Sequence, residues 1–189
     1  MRDEKFIENY FKDFQGLLKI NQETISKILK IKKLILKTKS KGKKVLIFGN
    51  GGSAAIASHF SVDLTKNAGV RCVNFNEADL ITCFANDYGY ENWINKAIKF
   101  YADKDDLLIL ISSSGKSKNM INATKASRLK KINTIITLTG HSENNPLKKL
   151  GNISLWVNSK AYNLVENIHQ IWLLLIVDLI IGKKEYKVK

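Results

Sequence analysis

Apolar residues in the first part of the chain recur at intervals of three and four: Phe6, Ile7, Tyr10, Phe11, Phe14, Leu17 and Leu18, then Ile25, Ile28, Leu29 and Ile35. That period predicts amphipathic helix, broken once near Gly16 to Asn21. A helix of that length needs a groove on its own domain, or on a second subunit, to bury its stripe. After Gly42 the pattern changes to short continuous apolar runs: VLIF at 45–48, VRCVNF at 70–75, LLILIS at 107–112, TIITLT at 134–139 and ISLWV at 153–157. Helix-length segments separate most of them, which predicts parallel strands buried on both faces. The expected architecture is one α/β domain over 1–189. A helical lead-in occupies 1–40, and the α/β core over 41–189 holds about five parallel strands flanked by helices.

Composition narrows this without changing it. A chain of 189 residues with 44% hydrophobic content can build a core and is not intrinsically disordered. Two cysteines, Cys72 and Cys83, make no disulfide framework, which points to a reducing cytosol. The opening MRDEKFIENYFKDF has no apolar segment of the kind a signal peptide carries. The run from Ile171 to Ile181 carries Asp178 and falls short of the roughly 18 residues a span needs. A cytoplasmic protein without a membrane segment is expected. Lys and Arg outnumber Asp and Glu by 31 to 17, a net charge of +14. The lysines are scattered rather than gathered into a basic stripe. They read as solvated surface with a general pull on anionic small molecules, and nucleic acid is not the expected partner.

Candidate chemistry gathers where strands end. The first run leads into Gly49-Asn50-Gly51-Gly52-Ser53-Ala54 at a helix start. Glycines let a ligand approach the backbone, and the helix N-terminus offers N–H groups to an anion. Gly49, Gly51 and Ala54 also satisfy the dinucleotide spacing. The next strand, however, ends at Asn74-Phe75-Asn76 with no acid for a ribose, so no nucleotide cofactor is expected. The third run ends in Ser112-Ser113-Ser114-Gly115-Lys116-Ser117, whose hydroxyls and N–H groups can enclose a phosphate. Between these loops Asn86 and Asp87 read as a polar turn opening a helix from Tyr90 to Phe100, able to hold sugar hydroxyls. His59 and Asp63 stand four apart on one helix, and Glu166 and His169 three apart on the last. Such pairs can share a proton relay or a divalent metal.

The segments GNGGSAAIASHF, ANDYGY, ISSSGKS, TLTG and ENIHQIW follow one another across nearly the whole chain. In that order and spacing the sequence resembles the sugar isomerase (SIS) domain proteins, and within them the phosphoheptose isomerases. The resemblance implies that Asn50, Gly51, Gly52, Ser53, Asn86 and Asp87 contact a sugar, joined by Glu166. It implies that Ser112, Ser113, Ser114 and Ser117 hold its phosphate, and that the chain forms a homotetramer with sites completed across subunits. Active members carry a histidine, a glutamate four residues on, a glutamine in the final helix and a histidine eight residues later. These act as zinc ligands and acid–base groups. Here His59 is present, Asp63 replaces the glutamate, Glu166 the glutamine, and Leu174 the second histidine. The expected zinc ligands are therefore His59, Asp63 and Glu166, and the expected catalytic groups Asp63, Glu166 and His169.

Two readings follow from the departures. One is an aldose–ketose isomerase, converting sedoheptulose 7-phosphate to D-glycero-D-manno-heptose 7-phosphate for a surface-polysaccharide precursor. The other is a phosphosugar-binding or replication-regulatory relative that has lost catalysis with the histidine.

Overall fold

The computed structural model describes residues 2–185. In chain order its elements are α1 (Arg2–Leu18), α2 (Gln22–Ser40), β1 (Val45–Phe48), α3 (Gly52–Lys66), β2 (Cys72–Val73), α4 (Ala78–Tyr88) and α5 (Trp93–Tyr101). There follow β3 (Leu107–Ser112), α6 (Lys118–Leu129), β4 (Thr134–Thr139), α7 (Pro146–Leu150), β5 (Ile153–Trp156) and α8 (Tyr162–Ile181). The break in the helical lead-in comes at residues 19–21, where the Asn21 side chain accepts the Thr24 N–H at 2.8 Å and caps α2.

The five strands are all parallel, in the order β2-β1-β3-β4-β5. Alternating side chains divide the interior into two layers. Val45 and Ile47 of β1, with Leu107, Ile109 and Ile111 of β3, pack beneath α2, α3 and α8. Leu46, Phe48, Leu108 and Leu110 point the other way, against Trp93, Ile94 and Ile98 of α5 and Met120 and Ala123 of α6. Burial on both faces is why these strands read as unbroken apolar runs, each Leu or Ile contributing roughly 1.5–3 kcal/mol. Helix α8 is long and apolar enough to cross a membrane by length and composition alone. It lies instead against α2 and α3, with Leu173, Ile176 and Val177 inside the first layer.

Two elements differ from expectation. The run at 70–75 keeps only Cys72–Val73 as strand. Phe75 takes a left-handed backbone conformation, φ 55°. The flanking amides turn to α3: Asn74 Nδ2 donates to Ser58 Oγ and Ser61 Oγ at 3.2 and 3.0 Å, and Asn76 Nδ2 to the Ala54 carbonyl at 2.9 Å. Asn86 and Asp87 do not form a turn but belong to the last turn of α4, which ends at Gly89 with φ 82°. The next helix accordingly begins at Trp93 rather than Tyr90.

Helix α1 has no buried residue. Phe14 and Leu17 rest on Val157, Val165 and Ile168, while Phe6, Ile7 and Phe11 remain 69%, 55% and 58% exposed.

Candidate active site

In this strand order the chain leaves β1 toward β2 on one side, and β3 lies on the other. The carboxyl ends of β1 and β3 therefore flank the point where the topology switches, the crevice in which open α/β sheets take ligands. The glycine loop and the serine loop stand at those two strand ends.

The serine loop is fixed from below. Gly115 has φ 66°, and a side chain there would collide with Asn145 Oδ1. The buried Asn145 amide donates to Thr139 Oγ1 at 3.1 Å and to the Ser142 carbonyl at 2.9 Å, while its oxygen accepts the Lys148 N–H at 2.8 Å. On the loop, the Ser112 and Ser117 hydroxyls lie 2.9 Å apart, and Ser114 Oγ accepts the Lys116 N–H at 3.3 Å. The buried Ser113 hydroxyl has no partner at ordinary hydrogen-bond geometry among the described residues. The Glu166 carboxylate lies within reach of it, and a ligand oxygen would share that donor. The surroundings are cationic. Burial holds His141, just beyond β4, below the ordinary imidazole range, and the Lys160 and Lys116 ammonium groups add to that. Hydroxyls, the first N–H groups of α6 and a positive rim suit a phosphate.

The glycine loop is held by residues that the sequence did not single out. Asn50 Nδ2 donates to Asn119 Oδ1 at 3.1 Å, and Asn119 Nδ2 donates back to Asn50 Oδ1 at 2.9 Å. The Tyr90 hydroxyl donates to the same Asn50 oxygen at 3.1 Å. Tyr90 is thus the member of ANDYGY that the structure ties to the glycine loop. Asn86 and Asp87 are exposed, and Asn86 Nδ2 donates to Asp87 Oδ1 at 3.0 Å. Ser53 is buried in the first turn of α3. No sequence pattern announces Asn119, since an asparagine in the first turn of a helix reads as an ordinary cap.

Glu166 joins the two loops. From α8 its carboxylate lies against the first turn of α3, so closely that a methyl group at position 52 would collide with Glu166 Oε2. It also lies beside Ser113. Burial lifts its pKa above the ordinary glutamate value, and the Ser113 hydroxyl opposes the lift only in part. A partly desolvated carboxylate between the glycine loop and the serine loop is a candidate proton acceptor.

The remaining candidates separate. His59 and Asp63 meet, Nε2 to Oδ2, at 3.4 Å, and Asn67 Nδ2 donates to Asp63 Oδ1 at 3.2 Å. Gln170 of α8 reaches the other ring nitrogen, its Nε2 lying 3.3 Å from His59 Nδ1. His169, expected at the reaction centre, is fully buried, with Nε2 3.1 Å from the Thr139 carbonyl oxygen. Burial pulls its pKa down to about 4 against the raising effect of that bond, so it is a neutral interior group. At i and i+3, Glu166 and His169 share a helix face only loosely. The former faces the crevice and the latter the core.

The zinc set expected from the resemblance is not assembled. Among the described residues no three His, Cys, Asp or Glu side chains converge as metal ligands. His59 and Asp63 pair with each other, Glu166 sits against Gly52 and Ser113, and Leu174 offers no donor.

The chain matches the family described as the SIS domain over residues 9–140. A phosphoheptose isomerase of Aliarcobacter butzleri is 36% identical over 163 residues, 79% of this chain and 85% of that protein. A phosphoheptose isomerase of Buchnera aphidicola from Schizaphis graminum is 32% identical over 190 residues, 97% and 92% of the two chains. Among solved structures, a phosphoheptose isomerase from Francisella tularensis superposes with a TM-score of 0.86 at 26% identity, covering 97% of this chain and 100% of its own.

Proposed function

The chain belongs to the SIS domain family, beside the phosphoheptose isomerases, and from that membership we propose that it isomerises sedoheptulose 7-phosphate to D-glycero-D-manno-heptose 7-phosphate. The observation that carries the reaction is the Glu166 carboxylate, raised in pKa by burial, packed on Gly52 and beside Ser113 between the two loops.

The phosphate binds the serine loop through Ser112, Ser113, Ser114 and Ser117, and the sugar end extends to Asn50, Gly51 and Gly52. In a ketose the carbonyl at C2 acidifies the hydrogens on C1. Glu166 takes one of them, the electron pair forms the C1=C2 bond, and negative charge moves onto the former carbonyl oxygen. The N–H groups at the start of α3 stabilise that oxygen. Return of the proton to C2, with transfer of the hydroxyl proton from O1 to O2, gives the aldose without gain or loss of atoms. Asp63 is less suited to take the first proton, because both its oxygens are engaged, by His59 and Asn67. No step is routed through a metal, since the donor set does not converge.

The same reading places the protein in the cytoplasm as a homotetramer, its product feeding a surface-polysaccharide precursor. The apolar face of α1, with Phe6 69% and Phe11 58% exposed, supports association between copies.

Proton NMR of the purified protein with sedoheptulose 7-phosphate in D₂O tests the reaction. Deuterium entering at C1, or a new aldose signal, is the expected outcome. Saturable binding of the sugar phosphate without exchange would replace this reading with the non-catalytic one.

A further inference from the structure

The face of α8 turned toward α3 carries Glu166, Gln170 and Leu174 at successive intervals of four, and the middle residue has no part in the mechanism above. Yet it touches a histidine. Asp63 Oδ2 lies 3.4 Å from His59 Nε2, a charged contact with a group that can only accept, which favours the proton on Nε2. In a neutral ring Nδ1 is then a bare acceptor and needs a donor. Gln170 Nε2, 3.3 Å away, is that donor.

We propose that Gln170 is a positioning residue that holds His59 in the Nε2–H form, so that this chain uses the His59–Asp63 pair as a metal-free unit and does not bind zinc there. Each ring nitrogen is directed at a protein group. Asp63 is held from its other oxygen by Asn67 Nδ2 at 3.2 Å, which fixes the line Asn67–Asp63–His59–Gln170 from α3 to α8. Glu166 sits one turn earlier on α8 against Gly52, and Leu174 one turn later has no ligating atom. The exchange of a second histidine for leucine therefore comes with an amide that keeps the first histidine occupied. Where it concerns catalysis, this inference rests on the isomerase reading. The tautomer and the metal preference do not.

The chain has three histidines, so His59→Gln is enough to assign the His59 ring signals in ¹⁵N-labelled protein. Under mildly alkaline conditions the ring spectrum should show Nε2 protonated and Nδ1 bare. Gln170→Leu should leave a mixture of tautomers, and Gln170→Glu, placing a second carboxylate against the ring, should put protons on both nitrogens. One equivalent of zinc chloride should leave the His59 signals in place. The opposite tautomer in the parent protein, spectra unchanged by both Gln170 substitutions, or a saturable shift at one equivalent of zinc would each overturn the proposal. Absence of turnover in the parent, with the expected spectra, would refute the isomerase reading and leave the positioning role standing.

Discussion

Asn50 and Asn119, which stand at the ends of different strands' loops, exchange two amide hydrogen bonds, 3.1 Å in one direction and 2.9 Å in the other. The pair fixes the glycine loop against the first turn of α6, and so fixes the two loops of the crevice relative to each other. Asn119 is 2% exposed. It cannot itself reach far into solvent, so its effect on substrate passes through Asn50.

Asn119→Ala should therefore raise KM for the sugar phosphate about tenfold, with a smaller effect on kcat. Loss of a buried amide pair typically costs about 1–3 kcal/mol. Steady-state kinetics of the variant, beside thermal melting to register the stability loss, would check this. A KM equal to the parent's would mean that Asn50 is held without its partner.

Gly52→Ala separates folding from catalysis. Position 52 opens α3, and the three atoms nearest its new methyl all belong to the Glu166 carboxylate. That tip can swing aside, so stability should be unchanged or slightly raised, as for glycine-to-alanine changes in helices. Turnover should fall on the order of 100-fold, the contribution of a positioned general base. Equal rates in Gly52→Ala and the parent would remove Glu166 from the reaction.

The pH profile should carry the same signature. Glu166 must be ionised to accept a proton, and burial raises its pKa above the ordinary 4.5. Activity is then full at higher pH and is lost as pH falls through the raised value. The acid limb of kcat/KM should lie above 4.5 in the parent and be absent from whatever residual rate Glu166→Gln shows. An acid limb at the ordinary glutamate value would contradict the desolvated position.

How far the sequence spoke for itself depends on what surrounds each segment. β1, β3 and β4 could be read residue by residue because both their faces are buried, which leaves an uninterrupted apolar run. β2 is an edge strand, and its run from Val70 to Phe75 stops pairing when Asn74 and Asn76 bond to α3. The helix containing Asn86 and Asp87 had a readable stop in Gly89, but the polar pair before it imitates a turn. The two loops were legible as candidates for ligand binding because glycine and serine at strand ends have few other uses. Asn119, Tyr90 and Gln170 were not, because each acts through contacts between segments distant in the chain.

His169 should make the protein acid-sensitive. Its pKa, brought down by burial to about 4 from 6.5, means that the unfolded chain binds a proton the folded one refuses. Stability is then complete above pH 6.5 and declines as pH falls toward 4, by up to about 3 kcal/mol. Urea unfolding at neutral and mildly acidic pH should show a steeper loss for the parent than for His169→Gln. Parallel pH dependence in the two proteins would assign the sensitivity elsewhere.

The apolar face of α1 supplies a test of assembly. With Phe6 and Phe11 exposed by 69% and 58%, Phe6→Glu together with Phe11→Glu should shift light-scattering mass from a tetramer to smaller species while helical content persists. An unchanged mass would place the contacts between copies on another surface.

The two loops face each other only because β1 pairs with β3, Val45 opposite Leu107, across everything that lies between them in the chain. During synthesis the glycine loop emerges well before the serine loop exists, so the growing chain passes through a long interval with only half of the proposed site. Ligand can therefore act only on finished molecules. By mass action it then favours the folded form by RT ln(1 + [L]/Kd), enough at about 100 times Kd to offset roughly 2.7 kcal/mol of damage. Supply of the sugar phosphate would in that way set how much of a weakened variant a cell retains, as well as how fast it works.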